Sequence, residues 1–471
     1  LSKNITIHWF RKDLRLSDNP ALYNAASAGV VLPIYILDDI NSGVFKMGSA
    51  SRCWLHHSLK SLNQSLGGKL QVFVGDPLNI LPELAKKYKI SNITWNRCYE
   101  PWQIKIDTKL KQILINLEIK VNSYNGSLLW EPWDVLKKDG LAYKVFTPFY
   151  HNGCLKAKEP RLPLPSPPKL LLIETEKSLD KIEQLGLLPK LEWWKTLISH
   201  WHIGELAANE RLADFVDKDI QSYKEGRDFP AMSSVSRLSP HLHFGEISPN
   251  QAWDGARSFS LDNNIDHFCR ELAWREFSYS LLYFNHELAT KNLQQKFDVF
   301  PWRYDSKQLS LWQEGKTGIP IVDAGMRQLW QTGYMHNRIR MVVSSFLVKN
   351  LLLDWRDGAR WFWDCLFDAD LANNSASWQW VSGCGADAAP YFRIFNPVTQ
   401  GQKFDQSGEY TRYFVPELKL LPDKYLFNPW EAPVEVLQTA KVELGIDYPL
   451  PIVDLYSSRV RALTALKSLI S

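Results

Sequence analysis

Between Asp368 and Trp380 the chain reads Asp-Ala-Asp-Leu-Ala-Asn-Asn-Ser-Ala-Ser-Trp-Gln-Trp, a stretch whose residue types and spacing point to chemistry. On a helix, Asp370, Asn374 and Trp378 stand at i, i+4 and i+8 and line one face. A carboxylate, an amide and an indole amid apolar residues must find hydrogen-bond partners. A structural network supplies them, and so does a polar, ring-shaped ligand with the indole beside it. Spacing alone supports the two equally. A second stretch, Tyr334-Met-His-Asn-Arg-Ile-Arg-Met341, places Asn337, Arg340 and Met341 on one face and turns Arg338 elsewhere, within reach of a phosphate. A solvated basic face leading into a hydrophobic helix would read the same way.

The elements that must position these residues follow from periodicity. Short β-rich runs occur at Ile5–Phe10, Val30–Leu37, Leu70–Val74, Ile93–Asn96 and near Val121–Tyr124. Helical stretches lie between them, such as Ser51–Leu66, stopped by Gly67-Gly68. Ser17 or Asp18 is the expected cap of the first helix, with Pro20 in its first turn. Such alternation predicts a doubly wound parallel sheet of Rossmann-like α/β type over residues 1–130. No G-x-G-x-x-G follows the first strand, so a dinucleotide fingerprint is absent there. Residues 131–200 read as a connector, with five prolines between Pro160 and Pro168 favouring extended chain. From 201 to 471 the periodicity is helical, predicting an all-α domain in which Ile339–Leu353 is a buried helix.

Composition narrows the classes. A chain of 471 residues, 45% hydrophobic, can bury more than one core. It has no run of about 18 apolar residues, so no membrane span is expected, and no signal peptide is visible at its start. Its six cysteines contain no C-x-x-C pair, which argues against a disulfide framework, a zinc site or a local iron–sulfur motif and fits a reducing cytosol. The net charge of +4 permits nucleic-acid binding without demanding it. Twenty tryptophans, concentrated in the second half, suit either a large core or stacking on a ring system.

The ordered stretches WFRKDLRLSDNPAL, YKEGRDFPA, SRLSPHLHFGEISP, RELAWREF, LWQEGKTGIPIVDAGMRQL, YMHNRIRM, DADLANNSASWQW and DAAPYFRIFNP resemble the cryptochrome/photolyase family over essentially the whole chain. Within it the pattern is most like a bacterial class I-type cyclobutane pyrimidine dimer photolyase. The resemblance implies FAD in the helical domain, held by Tyr223, Ser236, Leu238, Ser239, Asn337, Arg340, Asp368, Asp370 and Asn374. Hydroxyls and backbone N–H groups before a Pro-initiated helix suit a pyrophosphate, and Arg340 could pair with Asp368 near the ring system. Trp302, Trp355 and Trp378 match the family's electron-transfer chain, although three core tryptophans would look alike in sequence.

For substrate, the matched positions are Glu271, Trp274, Asn337, Met341 and Trp380. Trp274 and Trp380 would wall a flipped-out lesion, and Glu271 would hold a thymine edge. Arg227, Arg338, Arg393 and Lys403 are the candidate contacts to DNA phosphates. The neutral Asn337–Met341 face and the lack of a cysteine cluster favour cyclobutane dimers over (6-4) lesions. Asn374, where plant-type cryptochromes usually place Asp, favours repair over sensing, as does the lack of a C-terminal extension. The implied reaction is electron transfer from photoexcited reduced flavin to the dimer, with no metal. Val235, in place of a hydroxyl residue, removes one phosphate contact, and Phe268 stands where some relatives have Trp. Trp102 and Gln103 replace an Asn-Glu folate pair, so the antenna expected in the domain-boundary cleft is methenyltetrahydrofolate as first guess, with 8-hydroxy-deazaflavin or FMN as alternatives. The expected partner is UV-damaged DNA, for a cytoplasmic monomer with neither membrane nor obligate protein partner. A cryptochrome-type photoreceptor or a (6-4) photolyase are the rival readings.

Overall fold

The apolar runs Ile5–Phe10 (β1) and Val30–Leu37 (β2) form the centre of a parallel sheet, and all eight residues of β2 are buried. Strands covered on both faces read as continuous apolar runs, not as alternating ones. In the computed structural model, which describes residues 4–174, 179–260, 262–388 and 392–469, Gln71–Val74 (β3), Asn92–Asn96 (β4) and Lys120–Tyr124 (β5) complete the order β3-β2-β1-β4-β5. Every pairing is parallel, and a two-residue strand, Leu171–Leu172, adds to the start of β2. The chain therefore reverses its strand progression between β1 and β4, the place where such sheets open a crevice at their carboxyl ends. The expected fold class is the observed one: a doubly wound α/β region followed by a helical one.

Helices Pro20–Ala28 (α1), Ser49–Ser65 (α2), Pro77–Lys87 (α3) and Pro101–Asn116 (α4) connect the strands. The cap of α1 is Asn19, whose side chain accepts from Leu22 N, and neither Ser17 nor Asp18. Asp18 is committed elsewhere. Its fully buried carboxylate pairs with Arg161, accepts from Leu164 N at 2.8 Å and from Ser248 Oγ at 2.5 Å. Helix α2 ends ahead of Gly67 and Gly68, both at positive φ (61° and 82°), where a glycine costs least. One face of the sheet packs on a core built around Trp54, Leu59 and Phe10, the other on Trp9, Trp95, Ile34 and Leu110. The proline-rich residues 160–167 carry no regular secondary structure.

The chain forms two compact units. The first comprises Leu1–Gln221, Ser236–His286 and Phe367–Ala372, and so holds the sheet together with the helices Ser239–Phe244, Pro249–Phe259 and Asn263–Phe284. Leu14 N donates to Phe244 O, and Trp54 Nε1 to Glu246, so sheet and helices share one core. The second comprises Ser222–Val235, Glu287–Leu366 and Asn373–Ser471. Its centre is the helix Asn337–Ser345, which continues as the π-helical turn Phe346–Asn350; Val342 to Leu353 are buried throughout. Among the described residues no helix is long and apolar enough to cross a membrane.

Candidate functional site

In the first unit Ser236, Leu238 and Ser239 fall in one turn. Arg237, at φ 53°, bends the chain there and lays its guanidinium 4.3 Å over Trp201. Arg211 Nε donates to Ser236 O at 2.8 Å, and Ser239 opens a helix with Pro240 in its first turn. Asp368 and Asp370 lie in the turn ahead of the helix Leu371–Ser382. This differs from the expected single face. The helix starts one residue too late to include Asp370, whose N–H donates to Asp368 O at 2.7 Å, while Asn374 and Trp378 keep their i, i+4 relation.

Asp370 is buried and densely contacted. Tyr279 Oη donates to its Oδ2 at 2.5 Å, and Lys12 Nζ and His243 Nδ1 lie 3.8 Å from the same oxygen. Burial alone would raise its pKa, but His243 and the cations Lys12 and Arg275 outweigh it and hold the carboxyl well below the usual range. Tyr279 is pushed the other way by burial and by Asp370, so it stays a neutral donor. On the helix Asn263–Phe284, Glu271 and Trp274 stand at i, i+3. Trp274 stacks on Phe146 with centroids 3.8 Å apart and planes 9° from parallel. One face of the indole is thus fixed by the core, and the residue remains partly exposed.

In the second unit Arg227 sits 5.5 Å over the ring of the buried Tyr223. Asn337 opens its helix exposed to solvent, with Arg340 and Met341 one turn on. Arg340 Nε donates to Met335 O at 2.7 Å. The helix is capped by His336, whose Nδ1 accepts from Arg338 N at 3.2 Å. Burial, reinforced by Arg338, Arg340 and Arg227 against Asp228, lowers that imidazole to about 4. It is therefore neutral near pH 7, as an accepting ring nitrogen requires. Asn374 Nδ2 donates to Ala359 O at 3.0 Å, and Trp380 Nε1 to Asp387 O at 3.2 Å.

The three matched tryptophans all belong to this unit. Trp378 meets Phe362 edge-on at 5.0 Å and Trp312 at 6.3 Å; Trp355 donates to Asn292 Oδ1 at 2.9 Å; Trp302 packs on Phe300 at 4.4 Å. Of the phosphate candidates, Arg393 and Lys403 are exposed and Arg227 is partly exposed, whereas Arg338 is already paired with Asp228. Ala389 to Tyr391, within the motif DAAPYFRIFNP, lie outside the described residues.

The side chains present fit a flavin dinucleotide. In the first unit, hydroxyls at a helix start suit phosphate and an ionised carboxylate suits a ring N–H; in the second, an amide can both donate and accept. Trp378 Nε1 and His336 Nε2 are buried and make no hydrogen bond among the described residues. Among the described residues no group of three His, Cys, Asp or Glu could hold a metal ion, and all six cysteines are free and buried. Near the carboxyl end of β4, Trp102 stacks on Phe45 at 5.8 Å and Gln103 accepts from Arg11 at 3.3 Å. Sequence reasoning missed Lys12, His243, Tyr279 and His336. Only His336, immediately ahead of a helical run, carried a local sign as a cap.

Two family models match the chain: one described as DNA photolyase over residues 6–169, the other as the FAD binding domain of DNA photolyase over residues 268–468. The deoxyribodipyrimidine photo-lyase of Agrobacterium fabrum is 48% identical over 98% of this chain and 97% of its own. Cryptochrome-2 of Arabidopsis thaliana is 38% identical over 96% of this chain and 77% of its own. Among solved structures, a bacterial class III photolyase from Agrobacterium tumefaciens superposes with a TM-score of 0.95 at 47% identity, covering 100% of this chain and 98% of that one.

Proposed function

Because the chain belongs to the photolyase/cryptochrome family and carries its FAD-binding domain, we propose that it is a light-dependent DNA repair enzyme that splits cyclobutane pyrimidine dimers. The observation that carries this reading is Trp274, an indole with one face locked on Phe146 at 3.8 Å beside Glu271. A pre-formed aromatic wall next to a carboxyl group suits a flipped-out pyrimidine pair better than it suits a sensor without substrate. For subclass we follow the class III photolyase, given the 47% identity over the whole chain.

Flavin, when bound, supplies the photoexcited electron donor. Ser236, Leu238 and Ser239 would hold its pyrophosphate, and Tyr223, Asn337, Arg340, Asp368, Asp370 and Asn374 would orient the rest. In the first unit Trp274 would stack on the dimer and Glu271 would accept from a pyrimidine N–H; Trp380, Met341 and Asn337 are the candidate lesion contacts of the second. Trp302, Trp355 and Trp378 are oxidisable indoles suited to resupplying electrons. Arg227, Arg338, Arg393 and Lys403 would bind backbone phosphates. We assign a second, light-harvesting chromophore too, a folate in the first instance.

The test is a thymine-dimer oligonucleotide incubated with reduced protein in light and in darkness. Recovery of thymine absorbance only in the light is expected. No light-dependent recovery, with the flavin reduced, would sink the enzyme reading. The 38% likeness to a cryptochrome favours a photoreceptor as the second reading; that outcome would promote it.

A further inference from the structure

Glu100 stands immediately before α4, where negative charge is favourable to the helix, and its side chain makes no capping bond. Its carboxylate turns inward. Oε1 takes the ammonium of Lys12, and Oε2 is buried with no hydrogen-bond partner among the described residues. Lys12 Nζ is at the same time 3.8 Å from Asp370, so one lysine bridges two carboxylates that are 3% and 5% exposed. Above them opens a small pocket lined by Lys12, Glu100, Arg97, His243, Arg275 and Tyr279. Lys12, 26% exposed, is the member of the trio that reaches solvent.

These contacts all lie in the first unit. The charged and titratable groups facing the pair come from four places: Lys12 after β1, Arg97, Cys98 and Tyr99 after β4, His243 from the helix Ser239–Phe244, and Arg275 with Tyr279 from the helix Asn263–Phe284. Arg97 and Tyr99 are occupied by Glu131, and Arg275 is paired with Glu276. Burial lowers the His243 pKa, which keeps the ring neutral. Lys12 is thus the cation shared by Glu100 and Asp370. Without that shared cation the proton affinity of the pair rises, and Glu100, which has no other paired cation, takes the proton while Asp370 keeps Arg275 and the Tyr279 donor.

We propose that Glu100 is a proton-holding residue beside Asp370 and that Lys12 is its gate. When negative charge is added next to Asp370, Lys12 shifts onto Asp370 and a proton from bulk water passes through the pocket to Glu100 Oε2. The electrons come from the reductant that charges the flavin, the proton comes from water, and only O–H bonds form or break. The role in catalysis rests on the reading that Asp370 contacts flavin. The proton site itself does not.

Infrared difference spectroscopy of the holoprotein, in H₂O and D₂O, tests both parts. In resting Lys12→Met a protonated-carboxyl band is expected at pH 7 that wild type and Lys12→Arg lack, and adding Glu100→Gln should remove it. Loss of the shared cation should raise the proton affinity of the pair roughly 10- to 1,000-fold. On chemical reduction of the bound flavin, wild type should gain a deuterium-sensitive carboxyl band that the near-isosteric Glu100→Gln loses. Identical reduction spectra for wild type and Glu100→Gln would overturn the proposal, whether or not Lys12→Met folds. Flavin retention by Asp370→Asn is scored separately. Unchanged flavin content and spectrum there would overturn the cofactor reading and leave the Lys12→Met result standing.

Discussion

Arg338 Nη2 lies 2.7 Å from Asp228 Oδ1, and its guanidinium covers the ring of Phe404 at 4.3 Å. A residue expected to bind phosphate is therefore held by an internal carboxylate, and DNA must compete with Asp228 for it. Asp228→Asn should tighten binding to undamaged DNA by up to about fivefold, the worth of an exposed ion pair of roughly 1 kcal/mol. It should also steepen the dependence of log K on log salt by about 0.9. Fluorescence anisotropy across a salt series measures both, and an unchanged slope would show that Arg338 meets no phosphate.

Trp274→Ala removes the indole that rests on Phe146. Loss of one stacked base costs roughly 1–3 kcal/mol, so affinity for a dimer-containing oligonucleotide should fall about 5- to 150-fold. Flavin content should not change. A fall of equal size for undamaged DNA would point to lost packing and not to lost lesion contact.

Gly358 lies inside the helix Trp355–Cys365, where alanine normally gains about 1 kcal/mol. Here a Cβ would come within 2.0 Å of the Trp378 ring. That ring is fully buried between Phe362 and Trp312 and has nowhere to move. Overpacking of about 1–3 kcal/mol should outweigh the helical gain. Gly358→Ala should lower the urea midpoint, and a raised midpoint would show that Trp378 is free to shift.

His336 gives a pH dependence of known sign. Its folded pKa of about 4 lies below the unfolded value of 6.5, so between those values the unfolded chain binds more protons. Its contribution is complete above pH 6.5 and is lost as pH falls to 4, about 3 kcal/mol in all. Asn caps a helix without titrating. The stability of His336→Asn should therefore fall less than that of wild type between pH 7 and pH 5, by chemical denaturation. Parallel losses would place the acid sensitivity in other buried histidines, such as His8.

How legible the molecule was in its sequence differs by level. β1 and β2 were readable to the residue, because a strand buried on both faces is an unbroken apolar run between turn signals. The cap of α1 was not, because Asp18 is drawn away by Arg161, some 140 positions along the chain. The face carrying Asn337, Arg340 and Met341 was legible, since helical spacing alone creates it. The surroundings of Asp370 were not. Lys12, His243 and Tyr279 come from three distant segments, and no local pattern marks a residue whose partner is set by tertiary packing.

Phe367 packs against Trp54 at 5.0 Å, while the chain between Gln221 and Phe367 passes largely through other structure. During synthesis the sheet is therefore complete long before the last piece of its own core exists. Between Phe244 and Phe367 about 120 further residues must leave the ribosome, which takes roughly 6–25 s. Through that interval Trp54, Phe244 and their neighbours present an unfinished apolar surface, and the nascent protein depends on whatever shields it until Phe367 arrives.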